Sequence, residues 1–579
     1  MAVHPFRVLH VRLDQGKGQV LELPGRAEHL GGSGLAAMLY QQFGDLTLPA
    51  LHPSQPLIFA IGPLTGWFPL MSKTVCGFKS PYTEEYAETH AGGRLGLSLR
   101  FSGLDALVLT GAAARLTCLV VGSNRMEFHD VNFMKGMDVF TTGKHMRRYG
   151  KSNAGHRSTL RIGPAGENQS AFACINVDTY RHFGRLGAGA VLGAKQVKGL
   201  IVAGDRSLPL PENKNYPKLF KEIHTALTAT DMMRKYHDLG TPINMAVLNG
   251  IRALPWRNLQ ATTDACIDDV SGERFAEQLL LRKTACAGCP VGCIHIGLLR
   301  QLFAEDHNYL YRQVGYDHET VFANGSMLGM TKAWKILVLL DEAEKQGLDA
   351  ISSGVALAWA TEAFEKGLIS EKETLVPLKW DDVESYRLAC VHLGLASNEF
   401  YRLLAQGVLK AAAVYGGADF ACVLGQEMAG YATGENFFIS QAMGFRYSHL
   451  DSAGYSYDQK TKDKDAAKAI EFMIEDEKAR VMLCSLVSCL FARSAYTPEK
   501  VHEALIATDQ PELAEALDSS VEAIRRTRWR LKLQSGYAPE QVQLPKRFLE
   551  VETWKGKMDP AYVEELKTLY AQKIREMGA

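Results

Sequence analysis

The feature that most constrains the fold is a change of hydrophobic pattern about one third of the way along the chain. Before residue 205, short runs of Val, Leu and Ile bounded by Gly or Pro predict strands. After residue 217, apolar residues recur at three- and four-residue intervals, which predicts helices. The segment 205–217 contains Pro209, Pro211 and Pro217 and predicts a domain boundary. We therefore expect an α+β protein with a β-rich amino-terminal domain (1–207) and two mostly helical domains (208–412 and 413–579).

Individual elements can be placed from the same pattern. Asp559 followed by Pro560 predicts the N-cap and first residue of the last helix. Glycine-dense stretches separate the strands, and glycine there permits positive φ and close approach of the backbone to a ligand. The predicted strands are 6–13, 57–61, 106–110, 117–121 and 200–203; the predicted helices are 330–348, 355–366, 397–414, 464–480 and 563–574; the glycine-dense stretches are 30–35, 91–96, 163–168 and 184–195.

Charge and hydropathy exclude several function classes. The 579 residues include 64 Lys+Arg and 64 Asp+Glu, so no broad basic field would attract nucleic acid. No stretch approaches 18 uninterrupted apolar residues, which argues against membrane insertion. The first residues have no basic flank followed by an apolar stretch, as a secretory signal would. We expect a cytoplasmic protein that neither binds nucleic acid nor inserts into a membrane.

Three of the eleven cysteines lie within eight residues, in the sequence CAGCPVGC. Clustered thiolates favour metal ligation, and soft thiolate ligands suit zinc, copper(I) or iron–sulfur clusters. Cys286, Cys289 and Cys293 could hold an iron–sulfur cluster with one distant cysteine, or zinc with a fourth ligand such as His295. They could also be plain buried cysteines. Candidates for a distant fourth ligand are Cys484 and Cys489.

Several segments match one family in order along most of the chain. The sequence resembles the tungsten-dependent aldehyde:ferredoxin oxidoreductases. Each glycine-rich match is weak alone, but their common order from about residue 30 to about residue 550 is specific. The matching segments are LGGSGLAA (30–37), LIFAIGPLTG (57–66), KSP (79–81), AGGRLG (91–96), IGPAGEN (162–168), GRLGAGAVLGAKQVKGL (184–200), LPWRNLQ (254–260), SGERF with CAGCPVGC, DHETVFANGSMLG (317–329), GLDAISSG (347–354), LVSCLF (486–491) and LPKRFLE (544–550).

The resemblance implies a β-rich base under a tungsten (or molybdenum) bis-pterin, with Mg²⁺ bridging the pterin phosphates and two helical domains above. The first helical domain would carry the CxxCxxxC and GLD motifs, and the second helical domain would carry His449 and the distant cysteine. A [4Fe-4S] cluster would be held by Cys286, Cys289, Cys293 and Cys489. Glu319 would be the base that activates water, and His449 would polarise the aldehyde oxygen.

Pterin contacts follow from the same motifs. The DxxGLD segment of the family becomes Glu344, Lys345, Gln346, Gly347, Leu348 and Asp349, and its second copy, DxxGLC, runs from Cys484 to Cys489. The second copy has lost its acidic residue and its glycine. Three further family residues differ here: one Arg is replaced by Lys73, an Asn by His90 and another Arg by Ser33. Lys lacks the bidentate fork of Arg. The implied pterin-binding residues are Lys73, His90, Gly92, Gly93, Arg185, Glu344, Gly347, Leu348, Asp349, Cys484, Val487 and Ser488.

The implied function is interconversion of an aldehyde and a carboxylic acid, with electrons passed to ferredoxin or a ferredoxin-like subunit. One alternative is the active-site subunit of an aromatic acyl-CoA reductase. Another, motivated by Ser33, His90 and Cys484, is a catalytically silent relative that keeps the cluster for electron transfer or docking. We expect a homodimer or hetero-oligomer.

Overall fold

The structure, a computed structural model, describes residues 4–150, 156–304 and 308–579. The amino-terminal third contains two six-stranded mixed sheets, and the rest is mostly helical, as expected for the predicted α+β class. In spatial order, the first sheet contains Lys17–Leu23, Phe6–Arg12, Ala106–Thr110, Leu57–Ala60, Thr74–Lys79 and Tyr86–Ala91, and the second contains Arg181–Phe183, Ile175–Val177, His156–Arg161, Val197–Gly204, Thr117–Gly122 and Met126–Asp130.

Each of these sheets has one parallel pair. In the first sheet Val8 lies opposite Ala106, and in the second Leu200 lies opposite Leu119. The central strands are buried on both faces, which explains their uninterrupted apolar sequences. The helices of this third are Arg26–His29, Gly32–Phe43, Leu95–Phe101, Val139–Met146, Pro164–Glu167 and Ala188–Ala194.

Each of the four glycine-dense stretches contains all or part of a helix, and two of these helices show why glycine is needed. In Gly32–Phe43, a Cβ on Gly34 would collide with the carbonyl oxygen of His29. In Ala188–Ala194, a Cβ on Gly193 would collide with the carbonyl oxygen of Gly166. These glycines therefore permit close packing of backbone on backbone.

The predicted helices and the last N-cap are present, with one break. Asp559 accepts hydrogen bonds from the amides of Ala561 and Tyr562. The stretch 397–414 forms two helices because Gly407 has φ 117°. The helices after residue 205 are Tyr216–Thr228, Asp231–Asp238, Asn244–Gly250, Gly272–Gln278, His318–Asn324, Ala333–Gln346, Ala350–Glu365, Glu371–Thr374, Val383–Leu395, Glu399–Leu404, Val408–Tyr415, Glu435–Met443, Gly454–Lys460, Ala466–Ser485, Pro498–Ala507, Pro511–Gln534, Lys546–Leu549 and Pro560–Gly578.

An antiparallel three-stranded sheet interrupts the helical region, where the sequence pattern predicts no strands. Its strands are Leu280–Thr284, Ile294–Ala304 and Asn308–Tyr316. The cysteine motif forms the connection between the first two strands. Two small hairpins complete the strand set: Val423–Leu424 with Gln426–Glu427, and Glu552–Thr553 with Gly556–Lys557.

The main hydrophobic core is continuous from the sheets into the helices, and Trp256, Trp359 and Trp529 are its largest buried side chains. A second core joins Leu64 and Phe68 of the amino-terminal third to the helices Tyr216–Thr228 and Ala466–Ser485. Cys289, Cys293 and Cys489 pack against this second core. Within the described residues, no helix is both long enough and apolar enough to cross a membrane.

Candidate functional site

The cysteine motif and Cys489 meet at the peptide of Leu70. The Leu70 amide donates to the carbonyl oxygen of Gly288 at 3.2 Å, and the Leu70 carbonyl accepts from the Cys489 amide at 3.0 Å. Gly93 also accepts from the amide of Ala287 at 3.0 Å. The fold therefore brings Cys489 to the motif across the 489 − 293 = 196 residues that separate them in sequence.

The thiols of the cysteine motif and of Cys489 interact electrostatically. Burial raises the pKa of Cys293 to about 12, and the neighbouring Cys489 adds to that rise. Burial likewise raises the pKa of Cys289 to about 11, with further contributions from Cys489 and Cys286. The guanidinium of Arg181 lies close enough to Cys286, Cys293 and Cys489 to interact electrostatically with them. Deprotonating Cys289 and Cys293 therefore requires additional positive charge, which a bound metal centre would supply.

The structure bears on the zinc alternative through the surroundings of His295. In the described part of the chain, no group of three or more His, Cys, Asp or Glu side chains is positioned around a single metal ion. Mononuclear zinc needs four ligands at about 2.0–2.3 Å from one point. His295 Nε2 lies 3.0 Å from the carbonyl oxygen of His237, whereas its Nδ1 is buried and has no hydrogen-bond partner among the described residues.

Glu319 and His449, predicted as catalytic partners from separate domains, are in contact. His449 Nε2 lies 3.1 Å from Glu319 Oε1, and Tyr431 donates its hydroxyl to the same oxygen at 2.8 Å. Asp317 caps the helix His318–Asn324 and so fixes the position of Glu319 in its first turn. Burial alone would raise the pKa of Glu319, but the hydrogen bond and charge of His449 bring it well below its usual range.

Further polar atoms beside this pair lack partners. Nδ1 of His449 and both ring nitrogens of His318 are buried and have no hydrogen-bond partner among the described residues. Burial lowers the pKa of His318 to about 4, so its imidazole is neutral at pH 7. Tyr431 packs against both rings at a centroid distance of 5.0 Å. Because unpaired buried polar groups are unfavourable, this constellation suits a polar ligand.

The segment 344–349 joins the helical part to the sheet domain. Arg185 Nε donates to Asp349 Oδ2 at 3.1 Å, while Asp349 caps the helix Ala350–Glu365 by accepting from the amides of Ile351 and Ser352. Gly347 has φ 71°, and its carbonyl oxygen accepts from the amide of Cys174 at 2.9 Å. Leu348 forms an isolated antiparallel β-bridge with Ala173. The carboxylate of Glu344 bonds His182 Nε2 at 2.8 Å, and the Asn176 amide also donates to it.

The segment 484–489 makes a corresponding backbone contact with the sheet domain. Val487 has φ 55°, and its carbonyl accepts from the Lys73 amide at 3.1 Å. The amide of Ser488 donates to the carbonyl of Leu483 at 2.8 Å. A Cβ on Gly92 would lie 2.6 Å from Cys286 Sγ, and Gly93 has φ 101°, so glycine is required at both positions.

Cys484 occupies a buried, positively charged environment. Burial would raise its pKa, but His90, Arg446 and Arg528 together lower it to about 7. Arg446 Nη1 lies 3.4 Å from His90 Nδ1. Glu88 balances this charge: it accepts from Arg528 at 2.8 and 3.2 Å and from the hydroxyl of Ser33 at 2.7 Å.

The residues present fit a large polar cofactor between the sheet domain and the helices. Buried polar atoms without partners occur on residues from both sides. A bis-pterin carries many hydrogen-bonding groups that could satisfy such atoms. These atoms are Asn176 Oδ1, Arg181 Nε and Arg185 Nη1 in the sheet domain, and Ser353 Oγ, Glu427 Oε2, His449 Nδ1 and Ser485 Oγ in the helical part.

Sequence reasoning missed several members of this site. Arg446 lies three residues before His449 and could have been found from the motif FRYSHLD. Tyr431, Glu88 and Arg528 have no local signal, because each depends on a partner more than 100 residues away. Two surface clefts of about 300 and 540 Å³ contain none of the predicted site residues.

Comparison with known proteins gives matches along most of the chain. A family model described as "Aldehyde ferredoxin oxidoreductase, N-terminal domain" matches residues 8–204. A second, described as "Aldehyde ferredoxin oxidoreductase, domains 2 & 3", matches residues 218–575.

Individual relatives agree with these models. The tungsten-containing aldehyde ferredoxin oxidoreductase of Thermococcus kodakarensis is 30% identical over 423 residues, which is 72% of this chain and 68% of that protein. The WOR-like subunit of aliphatic sulfonate oxidoreductase from Pyrococcus furiosus is 26% identical over 430 residues, or 71% of this chain and 67% of that protein. A solved active-site complex BamBC of benzoyl coenzyme A reductase contains a chain with a TM-score of 0.79 and 18% identity, covering 98% of this chain and 94% of that one. This last likeness shows the fold alone.

Proposed function

The chain belongs to the aldehyde ferredoxin oxidoreductase family, and from that premise we propose that it interconverts an aldehyde and a carboxylic acid. Electrons would pass to ferredoxin or a ferredoxin-like subunit. The observation that carries this proposal is the contact between Glu319 and His449, which come from the two proposed helical domains (208–412 and 413–579). A cytoplasmic location and an oligomeric state, homodimer or hetero-oligomer, are part of the same proposal.

Membership implies a tungsten or molybdenum pterin, typically with an iron–sulfur cluster. In this proposal Arg185 and the segment 344–349 would hold one pterin, and His90 and the segment 484–488 the other, with Mg²⁺ at the pterin phosphates. Cys286, Cys289, Cys293 and Cys489 would hold the [4Fe-4S] cluster. When bound, these groups supply a two-electron oxidation with a one-electron outlet.

The protein side chains supply proton handling and orientation. Glu319 is ionised at neutral pH and, although its contact with His449 makes it a weaker base, it can take a proton from water, which is the oxygen donor when an aldehyde becomes a carboxylate. His449 holds Glu319 through Nε2 and leaves Nδ1 available to an oxygen of the substrate. Tyr431 fixes the carboxylate from the other side.

Glu319→Gln tests the assignment in an aldehyde-dependent viologen reduction assay. We expect turnover to fall by about 10²-fold, because the amide cannot accept the proton. Tungsten and iron content should match the wild type, since Glu319 is assigned to neither metal centre. Tyr431→Phe, which keeps the ring and removes the hydroxyl, should lose about tenfold. Loss of metal from Glu319→Gln would make the residue structural and contradict the proposal.

One further candidate has its own support. The fold shared with a chain of the benzoyl coenzyme A reductase complex is compatible with an aromatic acyl-CoA reductase subunit. Benzoyl-CoA and benzaldehyde should be compared as substrates of one preparation with the same viologen couple. We expect benzaldehyde to be oxidised and benzoyl-CoA to be inert. The reverse result would favour the second candidate, and iron without tungsten or molybdenum would favour the silent relative.

A further inference from the structure

The loop that carries Cys286, Cys289 and Cys293 lies at the protein surface. Ala285, Gly288 and Pro290 of this loop are exposed, whereas the cysteines are half-buried. The side of the proposed cluster that faces these residues is therefore close to solvent. Such a place is accessible to another protein.

Cations surround this loop. The segments in contact with it, or directly adjoining it, are 70–73, 93–94, 178–181, 231–238, 282–293 and 487–493. They contain eight Lys or Arg residues and three Asp residues, whereas the whole chain has equal numbers of basic and acidic residues. We call the following seven residues the basic rim: Lys73, Arg94, Arg234, Lys235, Arg282, Lys283 and Arg493; the eighth cation is Arg181.

Contacts of neighbouring residues tie these segments to the loop. Arg94 follows Gly93, which bonds Ala287, and Lys73 follows the Leu70 peptide that bonds Gly288. His237 Nδ1 lies 2.7 Å from the carbonyl oxygen of Val291, which brings the helix Asp231–Asp238 to the loop.

The acidic residues neutralise little of the basic rim. Asp178 is used internally, since its oxygens accept from the Arg94 amide, Ser158 and Thr159. Lys283 pairs with Asp238 at 3.5 Å and Arg234 with Asp231 at 3.9 Å. The other rim cations, Lys73, Arg94, Lys235, Arg282 and Arg493, form no ion pair with any described residue. Arg282 and Arg493 instead donate to neutral oxygens, those of the Gln313 side chain at 3.1 Å and the Leu490 carbonyl at 3.0 Å.

Apolar surface lies among these charges. Tyr236 stacks on Phe491 with ring centroids 4.4 Å apart, and both side chains are half-buried. Met232, on the same helix as Tyr236, is 48% exposed. An apolar centre within a charged rim is the usual composition of a protein-binding surface.

We propose that the basic rim is the docking surface for a small acidic iron–sulfur protein that exchanges single electrons with the cluster. This inference rests on the proposed function and adds the place and the charge of the partner. In each encounter one electron leaves the reduced cluster, and the oxidised partner is reduced by one electron. Charge complementarity steers the partner so that it docks over the exposed cysteine loop.

The test compares two triple charge reversals. One reverses the rim: Arg94→Glu, Lys235→Glu and Arg493→Glu. The control reverses three exposed lysines without ion pairs among the described residues: Lys17→Glu, Lys410→Glu and Lys557→Glu. The rim variant should raise the KM for an acidic 2[4Fe-4S] ferredoxin by about tenfold or more, and the control by less than about twofold. Turnover with benzyl viologen, which needs no protein docking, should be the same in all three proteins.

Direct binding separates this inference from the proposed function. Calorimetry with the oxidised ferredoxin requires no turnover, and the wild type should bind more weakly as salt concentration rises. Equal dissociation constants for the rim and control variants would overturn the docking surface, as would equally tight binding of basic cytochrome c to the wild type. Weaker ferredoxin binding by the rim variant in a preparation without aldehyde activity would support the surface and contradict the proposed reaction.

Discussion

The segments 344–349 and 484–489 hold the same relation to the sheet domain with different chemistry. Each joins a helical region to the sheet domain through backbone hydrogen bonds, and each places its fourth residue, Gly347 or Val487, at positive φ. At its first position the first segment presents the Glu344 carboxylate to His182 and Asn176, whereas the second presents the Cys484 thiol to His90 and two arginines. The comparison teaches that backbone geometry can persist where the glycine and the acid have both been replaced.

Replacing Cys484 and Cys489 one at a time distinguishes the roles of these two cysteines, which lie at opposite ends of the second segment. Cys489→Ser should abolish the low-temperature electron paramagnetic resonance signal and remove most of about four irons per chain, because the fourth cluster ligand is lost. Cys484→Ser is the matched control and should keep both signal and iron. If the two variants exchange these results, the ligand assignment is wrong.

A large loss of stability should follow from a methyl group at Gly347. Its Cβ would lie 2.7 Å from the amide nitrogen of Gly163 and 3.0 Å from its Cα, and backbone atoms cannot move aside cheaply. Gly347→Ala should lower the free energy of unfolding by about 3 kcal/mol, as strain at positive φ and overpacking add. Urea denaturation followed by tryptophan fluorescence would measure it.

Gly367→Ala is the matched control, since Gly367 has φ 70° and nothing lies within 4 Å of the position that an added methyl group would take. It should lose about 1 kcal/mol, which is the conformational part alone. Equal losses at residues 347 and 367 would show that the contact with Gly163 carries no energy.

Cys484 should make stability depend on pH between about 7 and 8.5. Its pKa is about 7 in the folded chain and about 8.5 when unfolded, so the unfolded state binds more protons in this window. Stability therefore rises with pH through the window, by about 1–2 kcal/mol, and the gain is lost as pH falls through 7. Urea unfolding at pH 6.5 and 8.5 should show this rise in the wild type and a smaller one in Cys484→Ser. The same change of unfolding free energy with pH in both proteins would show that Cys484 does not cause it.

The smallest expected effect concerns the left-handed backbone of Val487. We expect Val487→Gly to be more stable than Val487→Ala by about 1 kcal/mol, because glycine adopts positive φ without strain. The same pair at Val355, inside the helix Ala350–Glu365, should differ by a similar amount with the opposite sign. Thermal unfolding of the four variants would give both differences, and equal signs would contradict the left-handed assignment.

Much of this fold could be predicted because strands and helices follow local periodicity. The strand prediction 106–110 coincides with Ala106–Thr110, and the last helix begins at Pro560 after Asp559, as its capping signal indicates. The sheet from Leu280 to Tyr316 was missed because strands such as LLRKT and NYLYRQVGY are not the short Val, Leu and Ile runs bounded by Gly or Pro that identified strands elsewhere.

The candidate site could likewise be predicted only in part. The resemblance selected Glu319 and His449, and the structure places them 3.1 Å apart; their catalytic roles stay predictions. The charge around Cys484 could not be predicted, because His90, Arg446 and Arg528 come from three distant parts of the sequence. Electrostatic environments of this kind depend on tertiary packing, which periodicity does not encode.

The most direct test of the central claim is the metal content of protein purified without oxygen from cells that assemble iron–sulfur clusters and pterin cofactors. Four cysteines from two remote segments should hold about four irons per chain, with about one tungsten or molybdenum beside them. Protein that contains neither iron nor the heavier metal under these conditions would contradict the account.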